Sequence, residues 1–149
     1  MPEKIGTGIL VKDVMIKNVI TASPEDSVID GARIMKENHV GFLVITKGKK
    51  IVGVLTREDI VNKVIAENKD ILKTKLKDIM TTKVITASPE EDISEVSKRM
   101  AKYGYERLPV VMLNKLVGVI SEREILTPKP TEEETSEATK QLVESLMKF

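Results

Sequence analysis

The heptapeptide Val19-Ile20-Thr21-Ala22-Ser23-Pro24-Glu25 recurs unchanged at Val84–Glu90. A shift of 65 positions aligns residues 11–61 with 76–126 without a gap, and 17 of the 51 aligned pairs are identical. The identical pairs include Lys12-Asp13 with Lys77-Asp78, and Val52-Gly53-Val54 with Val117-Gly118-Val119. The chain is therefore a duplication. Two copies are too few for a solenoid, so we expect two units that pack on each other by pseudo-two-fold symmetry.

Each copy predicts the order β-α-β-β-α. A short strand ends at a Ser-Pro turn, because proline fixes φ and disfavours helix in the residue before it. Capping patterns at Ser27–Asp30 and Asp92–Glu95 then begin a helix with apolar residues at helical spacing. The predicted strands are 19–21, 41–46 and 51–56 in the first copy, and 84–86, 108–112 and 116–121 in the second. The last helix is predicted at Glu58–Glu67, and its counterpart ends after Leu126, before Pro128 and Pro130.

The fold class is therefore α+β, of an α/β type, with a C-terminal helix added to the two units. We divide the chain into a lead-in (1–9), a first repeat (10–67), a linker (68–75), a second repeat (76–127) and an extension (128–149). The extension begins with the capping pattern Thr131–Glu134 and continues as an apolar stripe. We expect this helix to cover the second repeat or a dimer partner; a binding helix for another protein is the alternative.

Composition limits the possible functions. Charged residues make up 32% of the chain but nearly cancel to a net charge of +1, which is unlike a nucleic-acid-binding protein. There is no cysteine, and no apolar run reaches the roughly 18 residues that a membrane span needs. The sequence predicts a cytoplasmic protein with an aliphatic core and without a membrane segment.

The two copies resemble tandem CBS domains, named after cystathionine β-synthase. The resemblance rests on ordered motifs that occur twice within Leu10–Leu126: Asp-(Val/Ile)-Met, Val-Ile-Thr-x-x-Pro, and Gly-Val-(Leu/Ile)-(Thr/Ser)-x-x-(Asp/Glu). A Leu-Pro-Val-Val strand at Leu108–Val111 adds to it. The resemblance implies a sheet-to-sheet pair, a Bateman module, that forms a homodimer and binds an adenine nucleotide or adenosyl compound between its units. It implies a regulatory protein rather than an enzyme, although fold alone does not fix function.

The first copy of the ligand motif is Gly53–Asp59. Thr56 is expected to end a strand and cap the next helix, which places its hydroxyl and nearby N–H groups where a phosphate can bind. Asp59 lies one turn later, where a carboxylate can accept hydrogen bonds from both ribose hydroxyls. Thr56-x-x-Asp59 is also an ordinary capping box, and both roles can coexist.

The resemblance also implies that these two residues face the second repeat. The expected facing residues are Val84, Ile85, Thr86, Tyr105, Glu106 and Arg107. Ile85 and Tyr105 would form apolar walls for a purine, and the planar guanidinium of Arg107 suits a phosphate. A surface ion pair with Glu106 is the alternative role for Arg107.

The mirror-related site is expected to be weaker. Its motif ends in Glu124 instead of aspartate, which moves the carboxylate outwards, and Phe42 occupies the position that matches Arg107. The residues assigned to this site are Ile20, Thr21, Val40, Gly41, Ser121 and Glu124. We therefore expect one strong site per chain.

Other residues carry no recognisable chemistry. His39 is the only histidine and has no partners for a metal site. Gly6-Thr7-Gly8 precedes any strand and is not a phosphate loop. No nucleophile pattern is present, so we expect neither catalysis nor a catalytic cofactor. The ligand remains open among AMP, ADP, ATP and compounds like S-adenosylmethionine, and the regulated protein is not identified. The alternatives are a ligand-free dimerisation scaffold and a nucleic-acid-binding protein that uses Lys47, Lys49 and Lys50.

Overall fold

The computed structural model describes residues 6–127, so the predicted C-terminal helix lies outside the described residues. The helices are α1 (Val11–Val14), α2 (Val28–Asn38), α3 (Arg57–Ile60), α4 (Leu76–Ile79), α5 (Ile93–Tyr103) and α6 (Glu122–Leu126). The strands are β1 (Thr21–Ala22), β2 (Phe42–Lys47), β3 (Lys50–Thr56), β4 (Arg107–Met112) and β5 (Lys115–Ser121). A π-helical segment, Val61–Ile65, continues α3. The mixed α+β class and the two repeats are confirmed.

The two sheets differ at their first strand. In the first repeat β1 pairs in parallel with β2, which pairs antiparallel with β3. In the second repeat β4 and β5 form a hairpin, and the predicted strand 84–86 is replaced by a single bridge from Ala87 to Val110. The reason is a missing donor. The N–H of Val44 reaches Ile20 O, whereas the matching residue of β4 is Pro109, which has no N–H.

The long helices begin where the local sequence predicts. The N–H of Asp30 donates to Ser27 Oγ (3.2 Å) at the start of α2, and the N–H of Ser94 donates to Asp92 Oδ1 (2.9 Å) at the start of α5. Both helices end at a left-handed residue: His39 (φ 55°) in the first repeat and Gly104 (φ 74°) in the second. The two repeats therefore share their helix signals but not the residue at the C-terminal cap.

Each hydrophobic core takes one short helix from the other repeat. Leu76 and Ile79 of α4 are buried in the core of the first repeat, among Met35, Leu43 and Leu55. Val11 of α1 is buried in the core of the second repeat, together with residues of α5, β4 and β5. None of this exchange was anticipated from the sequence.

Main-chain hydrogen bonds hold the exchanged segments in two equivalent sets. Ile16 and Val119 exchange two N–H···O bonds (2.8 and 2.9 Å), as do Thr81 and Val54 (2.9 and 3.0 Å). The repeated heptapeptide takes part as well. Pro89 O accepts from the N–H of Lys12, and Pro24 O accepts from the N–H of Lys77, each at 3.0 Å. Lys12, Pro24 and Val54, with their counterparts Lys77, Pro89 and Val119, thus recur in both copies and join one copy to the other.

The lead-in is bound by a carboxylate. Asp92 accepts from the N–H and hydroxyl of Thr7 (3.2 and 2.9 Å) and from the N–H of Gly8 (3.0 Å). The hydrogen bonds that Asp92 accepts from Ser94 and, to a smaller extent, from Thr7 hold the pKa of its carboxyl well below its usual range, although desolvation opposes them. The segment Gly6-Thr7-Gly8 therefore binds an anion of its own chain.

Within residues 6–127 no helix has the length and apolar character that a bilayer crossing requires.

Candidate functional site: a cavity between the two repeats

A cavity of about 500 Å³ lies between the repeats, where β3 and α3 face the segment before Ala87 and the start of β4. Ligand-binding clefts commonly have volumes of this size. Six of the eight residues predicted for the main site line it: Thr56, Asp59, Ile85, Tyr105, Glu106 and Arg107. Val84 and Thr86 do not line the cavity, and Thr86 O instead accepts a hydrogen bond from Arg99 (2.9 Å).

Thr56 and Asp59 form a reciprocal capping box at the end of β3. The N–H of Thr56 donates to Asp59 Oδ2 (2.9 Å), and the N–H of Asp59 donates to Thr56 Oγ1 (3.2 Å). Thr56 keeps extended backbone angles (φ −118°, ψ 165°), so the chain turns abruptly from strand to helix at this residue. The Asp59 side chain is only 17% exposed. The carboxylate is thus held at the cavity wall by its own helix.

Lys63 completes the surroundings of this carboxylate. Its Nζ lies 3.1 Å from Asp59 Oδ1 and donates a second hydrogen bond to Ile79 O (3.0 Å). Ile79 ends α4, which belongs to the second repeat, so a group from each repeat contacts the ammonium. Lys63 was not predicted as part of the site, although an acid followed four residues later by a lysine is a recognised helical pair.

The opposite wall comes from the second repeat. Ile85 and Tyr105 are half-buried and pack against that repeat's core, so each presents part of an apolar surface to the cavity. Arg107 is exposed at the first position of β4, where it pairs with Ser121. Glu106 O accepts from the N–H of Glu122 (2.8 Å), which fixes the main chain beside Arg107.

Two further cations line the cavity, Arg57 and Lys83, and neither was predicted. The Arg57 side chain lies against Gly41, in the space that a Cβ at position 41 would need. The N–H of Arg57 also donates to Gly41 O (3.0 Å). Glycine at position 41 therefore admits Arg57 to the cavity rim. With Arg107, the lining carries three cations, opposed by three carboxylates: Glu58, Asp59 and Glu106. Such a mixed lining can contact both an anion and hydroxyl groups.

The residues assigned to the weaker site are dispersed. Gly41 lines the main cavity, Val40 lines a separate groove beside His39, and Ile20 packs against the first core. Thr21 is exposed in β1. Ser121 and Glu124 stay together, with the Ser121 hydroxyl donating to Glu124 Oε2 (2.6 Å). Whether these residues bind any ligand stays a prediction.

The fold and the cavity between its repeats define the class: a paired α+β module with a cleft of ligand size. A model of the CBS domain matches residues 11–66 and 76–128, and the chain belongs to this family.

Three similar proteins show the range of the family. The chain is 41% identical over 112 residues to inosine-5'-monophosphate dehydrogenase of Korarchaeum cryptofilum; this stretch is 74% of the chain and 22% of the dehydrogenase. It is 32% identical over 111 residues to the CBS domain-containing protein YhcV of Bacillus subtilis, covering 74% of the chain and 79% of YhcV. The CBS domain pair of protein MJ0100, solved with 5-methylthioadenosine and S-adenosyl-L-methionine, superposes with a TM-score of 0.72 at 34% identity, covering 79% and 93%.

Proposed function

We propose that this chain is a regulatory module that binds an adenosine-containing ligand in the cavity between its repeats. The observation that supports the proposal is the convergence of Thr56 and Asp59 of the first repeat with Ile85, Tyr105 and Arg107 of the second around one cleft. The adenosyl compounds in the structure of the MJ0100 pair favour the same ligand class.

Each wall has a distinct role in this proposal. Asp59 accepts hydrogen bonds from the ribose hydroxyls, because its carboxylate is acceptor-only and is fixed by the capping box. The half-buried faces of Ile85 and Tyr105 contact the purine. Arg107, with Arg57 and Lys83, attracts a phosphate, and guanidinium groups suit phosphate oxygens by their planar pair of donors.

Regulation follows from the position of the cavity. A ligand that contacts both repeats stabilises the relative arrangement in which it binds best, so occupancy changes the population of arrangements. The regulatory signal would pass to a separate protein, or to other parts of a longer chain. Small-angle scattering with and without ligand tests for such a change of shape.

Calorimetric titration with AMP, ADP, ATP, S-adenosylmethionine and methylthioadenosine tests the ligand proposal. We expect at least one compound to bind with a stoichiometry near one per chain. Asp59→Asn should abolish binding, since the amide retains an oxygen for the cap but offers a donor where the ribose hydroxyls need an acceptor. The matched control in the second repeat is Glu124→Gln, which should bind as the wild type does. Absence of binding by every compound would favour the ligand-free scaffold.

We also propose that the chain forms a homodimer. A groove of about 590 Å³ runs between α2 and α3, with Ala32, Met35 and Ile60 among its lining residues, and the neighbouring Val61 and Ile65 are 52% and 63% exposed. Apolar side chains this exposed are suited to contact a second copy. Light scattering should give twice the chain mass for the wild type. Val61→Glu should reduce that mass, whereas Ser97→Glu, which adds the same charge at an exposed position of α5, should not.

A further inference from the structure

Lys63 links the ligand-binding carboxylate to the other repeat. The ammonium contacts Asp59 Oδ1 (3.1 Å) and Ile79 O (3.0 Å), and 44% of the Lys63 side chain is exposed. Asp59 Oδ2 is occupied by the N–H of Thr56. Both oxygens of the carboxylate therefore have a fixed partner in the first repeat, and one of these partners, Lys63, is itself held by Ile79 O of the second repeat.

This arrangement leaves two acceptor sites of the Asp59 carboxylate for a ligand. A carboxylate offers about four acceptor sites, and the Thr56 N–H and the Lys63 ammonium use two of them. Two remain, one on each oxygen, which is the number that a vicinal diol such as the ribose 2′- and 3′-hydroxyls needs. A ligand lacking one hydroxyl would leave an acceptor of the mostly buried Asp59 carboxylate without its partner, and unmade hydrogen bonds of this kind weaken binding.

The second repeat carries the same carboxylate position without the lysine. Glu124 Oε2 accepts only the Ser121 hydroxyl, and the buried Glu124 Oε1 has no hydrogen-bond partner among residues 6–127. The residue four positions after Glu124 is Pro128, which can supply no ammonium. The two carboxylates thus differ in their fixed partners as well as in length.

We propose that Lys63 is a positioning residue that makes the cavity selective for ribose over 2′-deoxyribose, by holding the Asp59 carboxylate in the plane that accepts both hydroxyls. The inference rests on the proposed function and names a determinant of its specificity. Lys63 acts through Asp59 and does not contact the ligand. Its bond to Ile79 O makes this selectivity depend on the packing of α4 against the first repeat.

The test compares AMP with 2′-deoxy-AMP, and ATP with 2′-deoxy-ATP, by calorimetry on the whole chain. The wild type should bind the ribonucleotide about tenfold or more tightly, the factor expected for one lost hydrogen bond. Lys63→Met should weaken ribonucleotide binding and bring the ratio of the two affinities close to one. Lys63→Arg should retain most of the selectivity, and Lys69→Met, at an exposed lysine nearby, should leave both affinities unchanged.

The possible outcomes separate this inference from the proposed function. If the wild type binds none of the adenosine compounds, the proposed function fails and the inference fails with it. If the wild type binds nucleotides without preferring ribose, or if Lys63→Met keeps the preference, the inference alone is overturned. Thermal unfolding of each variant without ligand shows whether a loss of affinity merely reflects a loss of folded protein.

Discussion

Met80 lies across Gly53, with its sulfur 2.5 Å from the position that a Cβ at residue 53 would occupy. The matching pair packs in the same way: the Met15 sulfur lies 2.7 Å from the position that a Cβ at residue 118 would occupy. In each pair the methionine precedes the heptapeptide of one repeat, and the glycine lies in the last strand of the other. Both recurring residues therefore have the same structural role, which is to let the two repeats pack on each other reciprocally.

Gly53→Ala should destabilise the protein by about 1–3 kcal/mol, the usual effect of overpacking. Met80 can move aside, but Thr81 O lies 3.0 Å from the new methyl group and is main chain, bonded to Val54. Urea unfolding measures the change. Combining Gly53→Ala with Met80→Ala should cost less than the sum of the single changes, because the two side chains occupy one space. Strict additivity would contradict the packing described here.

His39→Gly should stabilise the protein by about 1 kcal/mol. His39 holds a left-handed conformation (φ 55°, ψ 40°) that costs a side chain with a Cβ roughly this much, and it is exposed, so little packing is lost. The second repeat supplies the reverse experiment, since Gly104 caps α5 at φ 74°. Gly104→His should destabilise by a similar amount in urea unfolding. Equal signs for the two substitutions would show that the cap conformation is not what decides them.

Acid should weaken the fold partly through Glu91. The Arg99 guanidinium, which donates to both Glu91 oxygens, holds the pKa of that carboxyl below its ordinary value of 4.5; partial burial opposes this shift, and the N–H of Ser88 assists it. A pKa depressed by folding contributes stability above the unfolded value, and this contribution is lost as pH falls through 4.5 towards the folded value. The free energy of unfolding should therefore fall as the pH is lowered from about 6 to about 3, a range that spans the ordinary pKa of glutamate.

Arg99→Met should make that fall smaller, because Glu91 then loses the partner that favours its charged form. Urea unfolding at several pH values measures the difference. Lys98→Met is the control: Lys98 pairs with Glu95 at 3.8 Å on the surface, where such pairs contribute little. An acid dependence in Arg99→Met as steep as that of the wild type would show that Glu91 is not responsible.

Ligand binding should raise stability by mass action. At a nucleotide concentration about 100 times its dissociation constant, a ligand that binds only the folded state stabilises it by about 2.7 kcal/mol. Thermal unfolding with and without AMP measures the shift. Glu124→Gln should show the wild-type shift, and Asp59→Asn should show none. A full shift in Asp59→Asn would place the ligand away from the cavity.

Much of the local structure could be predicted from the sequence. Helix starts at Ser27 and Asp92, the two hairpins and the Thr56–Asp59 cap depend on residues a few positions apart, so their hydrogen-bonding and turn preferences can be read along the chain. The prediction of a strand at 84–86 was wrong, because the heptapeptide is identical in both copies and forms a strand in the first. The difference lies in its partner, Pro109, which occupies the position of Val44.

The candidate site was predicted only in part, for a related reason. The motif residues Thr56, Asp59 and Arg107 carry their own signals, and the family resemblance placed them together. Lys83 lies outside the motifs, in the segment between α4 and Ala87, and lines the cavity. Lys63 lies in a π-helical segment, and its second partner, the carbonyl of Ile79, is a main-chain group with no trace in the sequence.

The amino-acid sequence by itself determined that there are two equivalent units and where α2, α5 and the hairpins begin, and it predicted six of the residues that line the cavity. Only the tertiary structure decided that α1 completes the second core and α4 the first. The physical reason is degeneracy. Both copies carry the same Lys-Asp-x-Met segment and the same Val-Gly-Val strand. Each segment therefore fits the strand of its own repeat as well as that of the other repeat, and only the packing of the whole chain selects between the two arrangements.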